Sequence, residues 1–179
     1  MIVTSPDLAS FDGLLNGFFA DNIANGSLNV LLLTLADDRD AGTVQLLVGA
    51  GTESDDGYGM SSGAGTLDCS LGGGRFTTSE PIAFDFPNDF LTPPVLPLQQ
   101  VTISGLLAPD ASNISEGRLI GALSEADAEA TKIANTMLMA DLLNKQVKAP
   151  MDVDLDDDGT NDAWRFVFTF TAAAATVSE

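Results

Sequence analysis

From Trp164 to Thr171 the chain alternates without a break. Trp164, Phe166, Phe168 and Phe170 fall on one side of a period-two run, with Arg165, Val167, Thr169 and Thr171 on the other. A helix repeats about every 3.6 residues and cannot hold four rings at every second position on one face. The run is therefore a strand with one aromatic face, and that face needs the rest of the chain to cover it.

Directly ahead of this strand stand six aspartates within eleven residues, Asp152, Asp154, Asp156, Asp157, Asp158 and Asp162. Carboxylates packed this closely repel one another unless a cation neutralises them. Asp154, Asp156 and Asp158 alternate, Gly159 follows, and Asp162 comes four residues after Asp158, giving D-x-D-x-D-G-x-x-D. Ca²⁺ takes six to eight oxygen ligands in a flexible shell, which short carboxylates at alternate positions can supply. With Asp154 as the first ligand, Asp156 and Asp158 are the next two. Gly159 stands where the chain turns sharply, Thr160 offers its main-chain carbonyl, and Asp162 binds directly or through water. A register starting at Asp152 would put Asp157 at the turn in place of glycine. Arg165 occupies the place of the bidentate Glu of an EF-hand, so water, Asp152 or Asp157 would have to complete the shell. Mg²⁺ prefers a tighter octahedron and Zn²⁺ prefers nitrogen and sulfur. A solvated acidic turn is the plain alternative, since Asp and Gly are ordinary turn residues.

Over Asp154 to Asp162 the sequence resembles the D-x-D-x-D-G-x-x-D loop families: thrombospondin type 3 repeats, integrin propeller blades and dockerin-like loops. The resemblance implies calcium ligation by those positions and says nothing of fold. The order from Asn113-Ile114-Ser115-Glu116-Gly117 through a helix and acidic loop to Phe170-Thr171-Ala172 resembles a group of uncharacterised secreted proteins and lipoproteins of myxobacteria-like Gram-negative bacteria. That likeness implies surface or periplasmic residence and carries no activity.

The chain has 179 residues, enough for one domain with a substantial core. Its 26 acidic and 7 basic residues leave a net charge of −19, which repels nucleic-acid phosphates and anionic membranes. Such acidity suits either a secreted protein among millimolar divalent ions or one adapted to high salt, and the concentrated Asp loop favours the first. The single cysteine, Cys69, excludes an internal disulfide framework. No signal peptide or membrane span is recognisable.

Ser5-Pro6-Asp7 reads as a helix start, and apolar spacing continues to a stop at Asn25-Gly26, predicting a helix over 6–25. A β-rich region follows over 27–123, with strands at 28–35, 43–48, 67–71, 75–78, 82–86, 98–104 and 118–123. The Gly-rich stretch 49–74 reads as a long loop apart from 67–71. Three aspartates in the 37–42 turn offer a second, less regular candidate for a cation. Within the loop, Gly59-Met60-Ser61-Ser62-Gly63 matches G-x-S-x-G, but serine hydrolase chemistry needs a histidine base and the chain has none. Ser124 with Asp127 three residues on opens a second helix, predicted over 125–147, before the calcium loop and final strand at 152–177.

The fold expected is one mainly β domain, an antiparallel sandwich or curved sheet of about seven strands with two packed helices. The function expected is a non-catalytic, extracellular or cell-surface calcium-binding structural domain serving adhesion, scaffolding or self-assembly, with itself, other surface proteins or glycans as partners. The alternatives are a calcium-dependent glycan or small-molecule module using the 49–74 segment, and a hydrolase built on paired carboxylates.

Overall fold

The aromatic alternation builds the strand it predicts. Along Ala163–Ala173, Trp164, Phe166, Phe168, Phe170 and Ala172 are buried while Arg165, Thr169 and Thr171 are exposed. Each ring taken fully from water contributes about 1.5–3 kcal/mol, so this one face is a large share of the core. Phe168 stacks on Phe86 with ring centres 4.9 Å apart and planes 6° from parallel, and Phe86 meets Phe84 edge-on at 6.2 Å.

The computed structural model describes residues 1–3, 7–8, 30–55, 57–60, 65–88 and 90–175. In chain order these form β1 (Ile2–Val3), β2 (Asp7–Leu8), β3 (Val30–Asp38), β4 (Thr43–Ser54), β5 (Gly57–Met60), β6 (Gly65–Gly72) and β7 (Arg75–Thr78). Then come β8 (Ile82–Pro87), β9 (Leu91–Thr92), β10 (Val95–Leu107), β11 (Asn113–Ser124) and α1 (Glu125–Ala130). The last are β12 (Lys132–Ile133), β13 (Met137–Leu138), α2 (Met139–Asp141) running into a π-helical turn (Leu142–Val147), and β14 (Ala163–Ala173).

Strands β3, β4, β6, β7, β10, β11 and β14 lie side by side in that order, each antiparallel to the next. This curled sheet is a half-barrel, so of the sandwich and the curved sheet of about seven strands that were expected, the chain forms the curved sheet. β1 bridges its two outer strands, Ile2 pairing with both Leu31 and Ala173.

The curl has local causes. β10 and β11 carry irregularities in register, and left-handed residues sit in two of them, Gln100 at φ 51° and Glu116 at φ 50°. Bulges of this kind bend a strand and increase its twist. The bend also brings strands close: a Cβ on Gly117 would stand 2.5 Å from the Phe170 ring. Where β7 gives way to β8, the Thr78 hydroxyl donates to the Ile103 carbonyl at 2.8 Å and accepts from its amide at 2.7 Å, satisfying the Ile103 backbone just beyond the last β7–β10 pair, Thr77 with Ser104.

Three expectations meet a different arrangement. The helix over 6–25 lies outside the described residues except at Asp7 and Leu8, which are strand and pair with Thr169 and Phe168. The Gly-rich segment is largely sheet: β4 continues to Ser54 and turns back through β5, and β6 begins at Gly65. Glycine removed the side-chain alternation by which strands are recognised, but the backbone still pairs. The second helix ends at Ala130, not near residue 147. Thr131, Ile133 and Thr136 are β-branched and suit a strand, and Ala134 and Asn135 take positive φ of 48° and 60°, the hand of a tight hairpin turn. The hairpin β12–β13 adds to β9, and helical geometry resumes only at Met139. The cap itself forms as expected, the Asp127 amide donating to Ser124 Oγ at 3.1 Å. Among the described residues no helix is long and apolar enough to cross a membrane.

Candidate metal centre

The acidic loop is a closed excursion with a narrow neck. Val153 and Ala163 bridge across its base, the Ala163 amide donating to the Val153 carbonyl at 3.1 Å and the Val153 amide returning to Ala163 at 3.2 Å. Both residues are buried, beside Ala122 and partly buried Leu155. A third bond crosses the neck from the Asp162 amide to the Val153 carbonyl at 2.9 Å. The strand that follows is anchored at once: Trp164 is fully buried and its Nε1 donates to the Ala149 carbonyl at 3.0 Å. An aspartate-rich run that would otherwise be a free coil is thus held at both ends.

Inside the neck the chain curls around its own carboxylates. The Gly159 amide donates to Asp154 Oδ2 at 2.8 Å and the Thr160 amide to Asp158 Oδ1 at 2.7 Å. The Asp158 amide is shared between Asp154 Oδ1 at 3.3 Å and Asp156 Oδ1 at 3.2 Å. Backbone amides here do what the notional cation would do in part: they set positive dipole ends against like charges. Two residues turn the chain, Gly159 at φ 91° and Asp157 at φ 61°; Asp tolerates that region better than most residues with a side chain.

Asp154, Asp156 and Asp158 are brought together, one carboxylate oxygen of each lying within 4.8 Å of the others. Asp154 is half-buried and the other two are exposed. The donor set is oxygen alone, carried on short side chains, which fits a hard divalent cation such as Ca²⁺ and not Zn²⁺. Thr160 adjoins the cluster through its amide. Asp162 is not one of the three: its Oδ1 accepts from the Leu155 amide at 3.0 Å, and its carbonyl accepts from Glu125 at the start of α1 at 3.0 Å.

Arg165 and Asp152 have a relationship that spacing did not suggest. Arg165 donates through its amide and Nε to the two oxygens of Asp152, at 3.1 and 3.2 Å. Asp152 is therefore spent on closing the neck, and Asp157 stays exposed outside the cluster. No local pattern signals this pair, because the partners stand thirteen positions apart.

The 37–42 turn is organised differently. Asp37 pairs with Arg39 at 3.0 Å and Asp38 accepts from the Ala41 amide at 2.8 Å, so these acids serve the turn itself. Cys69 is buried, and burial pushes its thiol up to about 11. The G-x-S-x-G segment lies outside the described residues from Ser61 to Gly63. No protein-family model matches the chain, and comparison with curated proteins and with solved structures finds no match either.

Proposed function

We propose that the Asp154–Asp162 loop binds Ca²⁺ and that the protein is a non-catalytic structural domain working outside the cell or on its surface, with its last strand locked by the ion. The observation that carries this reading is the convergence of Asp154, Asp156 and Asp158 to within 4.8 Å inside a loop whose amides already orient them. Asp154, Asp156 and Asp158 would hold the ion through carboxylate oxygens, with Thr160 and Asp162 completing the shell together with water. An ion there would tie the neck at Val153 and Ala163 to the start of α1 through Asp162.

Calcium acts here as a folding ligand. With free ion about tenfold above its dissociation constant, roughly 1.4 kcal/mol is added to stability. Arg165 stands where an EF-hand has its bidentate Glu, so the protein supplies fewer ligands and the affinity belongs with extracellular modules, at about 10⁻⁴–10⁻³ M. A domain of that affinity is locked outside the cell and looser within it.

The test is thermal unfolding in EDTA and across a calcium titration, for the unaltered chain and for Asp156→Ala. Calcium should raise the melting temperature of the first and leave the second unmoved. Identical melting of the unaltered chain with and without calcium sinks the proposal. Light scattering over the same titration reads self-association: a calcium-dependent oligomer marks a scaffold, and a constant monomer a binding module.

A further inference from the structure

The bond between Asp158 and Gly159 carries a chemistry that its neighbours do not. Where glycine follows aspartate, the glycine amide can approach the side-chain carboxyl with no Cβ in the way. Both residues are exposed, and beyond its own chain neighbours no atom lies within 4 Å of where a Gly159 side chain would begin. Water can therefore reach the bond. Yet both reacting groups are held by other partners, the Gly159 amide by Asp154 Oδ2 at 2.8 Å and the Asp158 carboxylate by the Thr160 amide at 2.7 Å.

We propose that Asp158–Gly159 is a site of spontaneous aspartate isomerisation, and that the hydrogen bond from Gly159 to Asp154 is the gate that restrains it in the folded chain. In the reaction the Gly159 nitrogen bonds to Cγ of the protonated Asp158 carboxyl, loses its proton, and expels the carboxyl hydroxyl as water, closing a succinimide. Water then opens the ring. Attack at Cγ restores aspartate. Attack at the former main-chain carbonyl gives isoaspartate, with the chain running through the side-chain carbon and a free carboxylate left on Cα. Nothing is oxidised, and the mass is unchanged.

Isomerisation lengthens the main chain by one carbon and removes the Asp158 carboxylate from its place beside Asp154 and Asp156. That this ends calcium binding rests on the function proposed above; the isomerisation and its gate do not. A chain that has lost its loop order would thus be retired chemically, while an ordered loop protects itself.

The test is run in EDTA at physiological temperature in mildly acidic buffer. The tryptic peptide 149–165 is scored for isoaspartate by enzymatic methylation and by backbone fragmentation. Isoaspartate at 158 should form roughly tenfold faster in Asp154→Ala than in the folded unaltered chain, the factor expected from losing one charge-assisted hydrogen bond. Asp154→Asn keeps an accepting oxygen and should stay slow, and the unaltered chain in urea should be fast. Equal rates in folded unaltered chain and Asp154→Ala overturn the gate, and so does a urea-unfolded chain that gains no isoaspartate. Because no calcium is present, a failed calcium titration leaves this result standing, and the reverse holds as well.

Discussion

Asp152 and Arg165 are joined in parallel, the aspartate accepting from the backbone amide of Arg165 at 3.1 Å and from its guanidinium at 3.2 Å, while a second guanidinium nitrogen reaches the Asp152 carbonyl at 3.4 Å. The pair spans the mouth of the acidic loop just outside the Val153–Ala163 bridge. Both side chains are about half exposed, so solvent screens the attraction and the guanidinium bond contributes under about 1 kcal/mol. Arg165→Met should therefore lower stability only slightly in urea unfolding, and less at high salt than at low. Asp152→Ala should cost more, because it also strips the acceptor from the Arg165 amide. Equal losses from the two variants would show that the backbone bond contributes nothing.

Packing at the curl makes a sharper contrast between two glycines. A methyl on Gly117 would sit 2.5 Å from the Phe170 ring, whereas a methyl on Gly72 would meet nothing within 4 Å. Gly117→Ala should destabilise by about 1–3 kcal/mol through overpacking. Gly72→Ala should be neutral or slightly stabilising, by at most about 1 kcal/mol, through the stiffer unfolded chain. Chemical denaturation of the two variants side by side checks the pair, and similar losses from both would contradict the close approach of β11 and β14.

What could be read from the sequence follows from how local each signal is. The face of β14 and the Ser124 cap announce themselves within four to eight residues, and both form. The three convergent aspartates are legible for the same reason, since alternate positions on a curled loop face one point. The Asp152–Arg165 clamp is not legible, because it pairs residues across the whole loop. Nor is the break after Ala130: the apolar spacing of Ile133, Met137 and Leu142 suits a helix, and only pairing with β9, some forty residues earlier, turns Lys132–Ile133 into a strand. In β4 beyond Val48 and in β5 the period-two signal is erased by glycine, and ladder bonds alone define the strands there.

Cys69 sets a pH dependence whose sign can be worked out. Its thiol is raised from 9.0 to about 11, chiefly by burial. Between those values the unfolded chain has lost a proton that the folded chain still holds, so the folded state binds more protons and its stability falls as pH rises. Below the unfolded value the residue contributes no pH dependence. Unfolding should therefore grow easier from pH 9 towards 11, and Cys69→Ala should flatten that decline; an unchanged slope would mean another group is responsible. At neutral pH a thiol reagent should modify the folded chain far more slowly than the unfolded one, since a buried neutral thiol is a poor nucleophile.

Asp162 separates the shaping of the loop from the holding of an ion. Its carboxylate already accepts from the Leu155 amide, and its carbonyl is bound by Glu125, so it couples the loop to the first turn of α1. Asp156 has one bond to the loop, from the Asp158 amide, and otherwise faces the other two carboxylates. Asp162→Asn keeps an oxygen for Leu155 and should retain most of the calcium-induced rise in melting temperature. Asp162→Ala leaves that amide without its partner and should cost about 1 kcal/mol even in EDTA. Asp156→Ala should do the reverse, leaving melting in EDTA unchanged or raised, because one repelling charge is gone, while abolishing the calcium response. Emission from Trp164, the only tryptophan and fully buried at the neck, reports the titration directly. If Asp162→Asn loses the calcium response as completely as Asp156→Ala, then Asp162 is a ligand through its own charge, and its bond to Leu155 must give way when the ion enters.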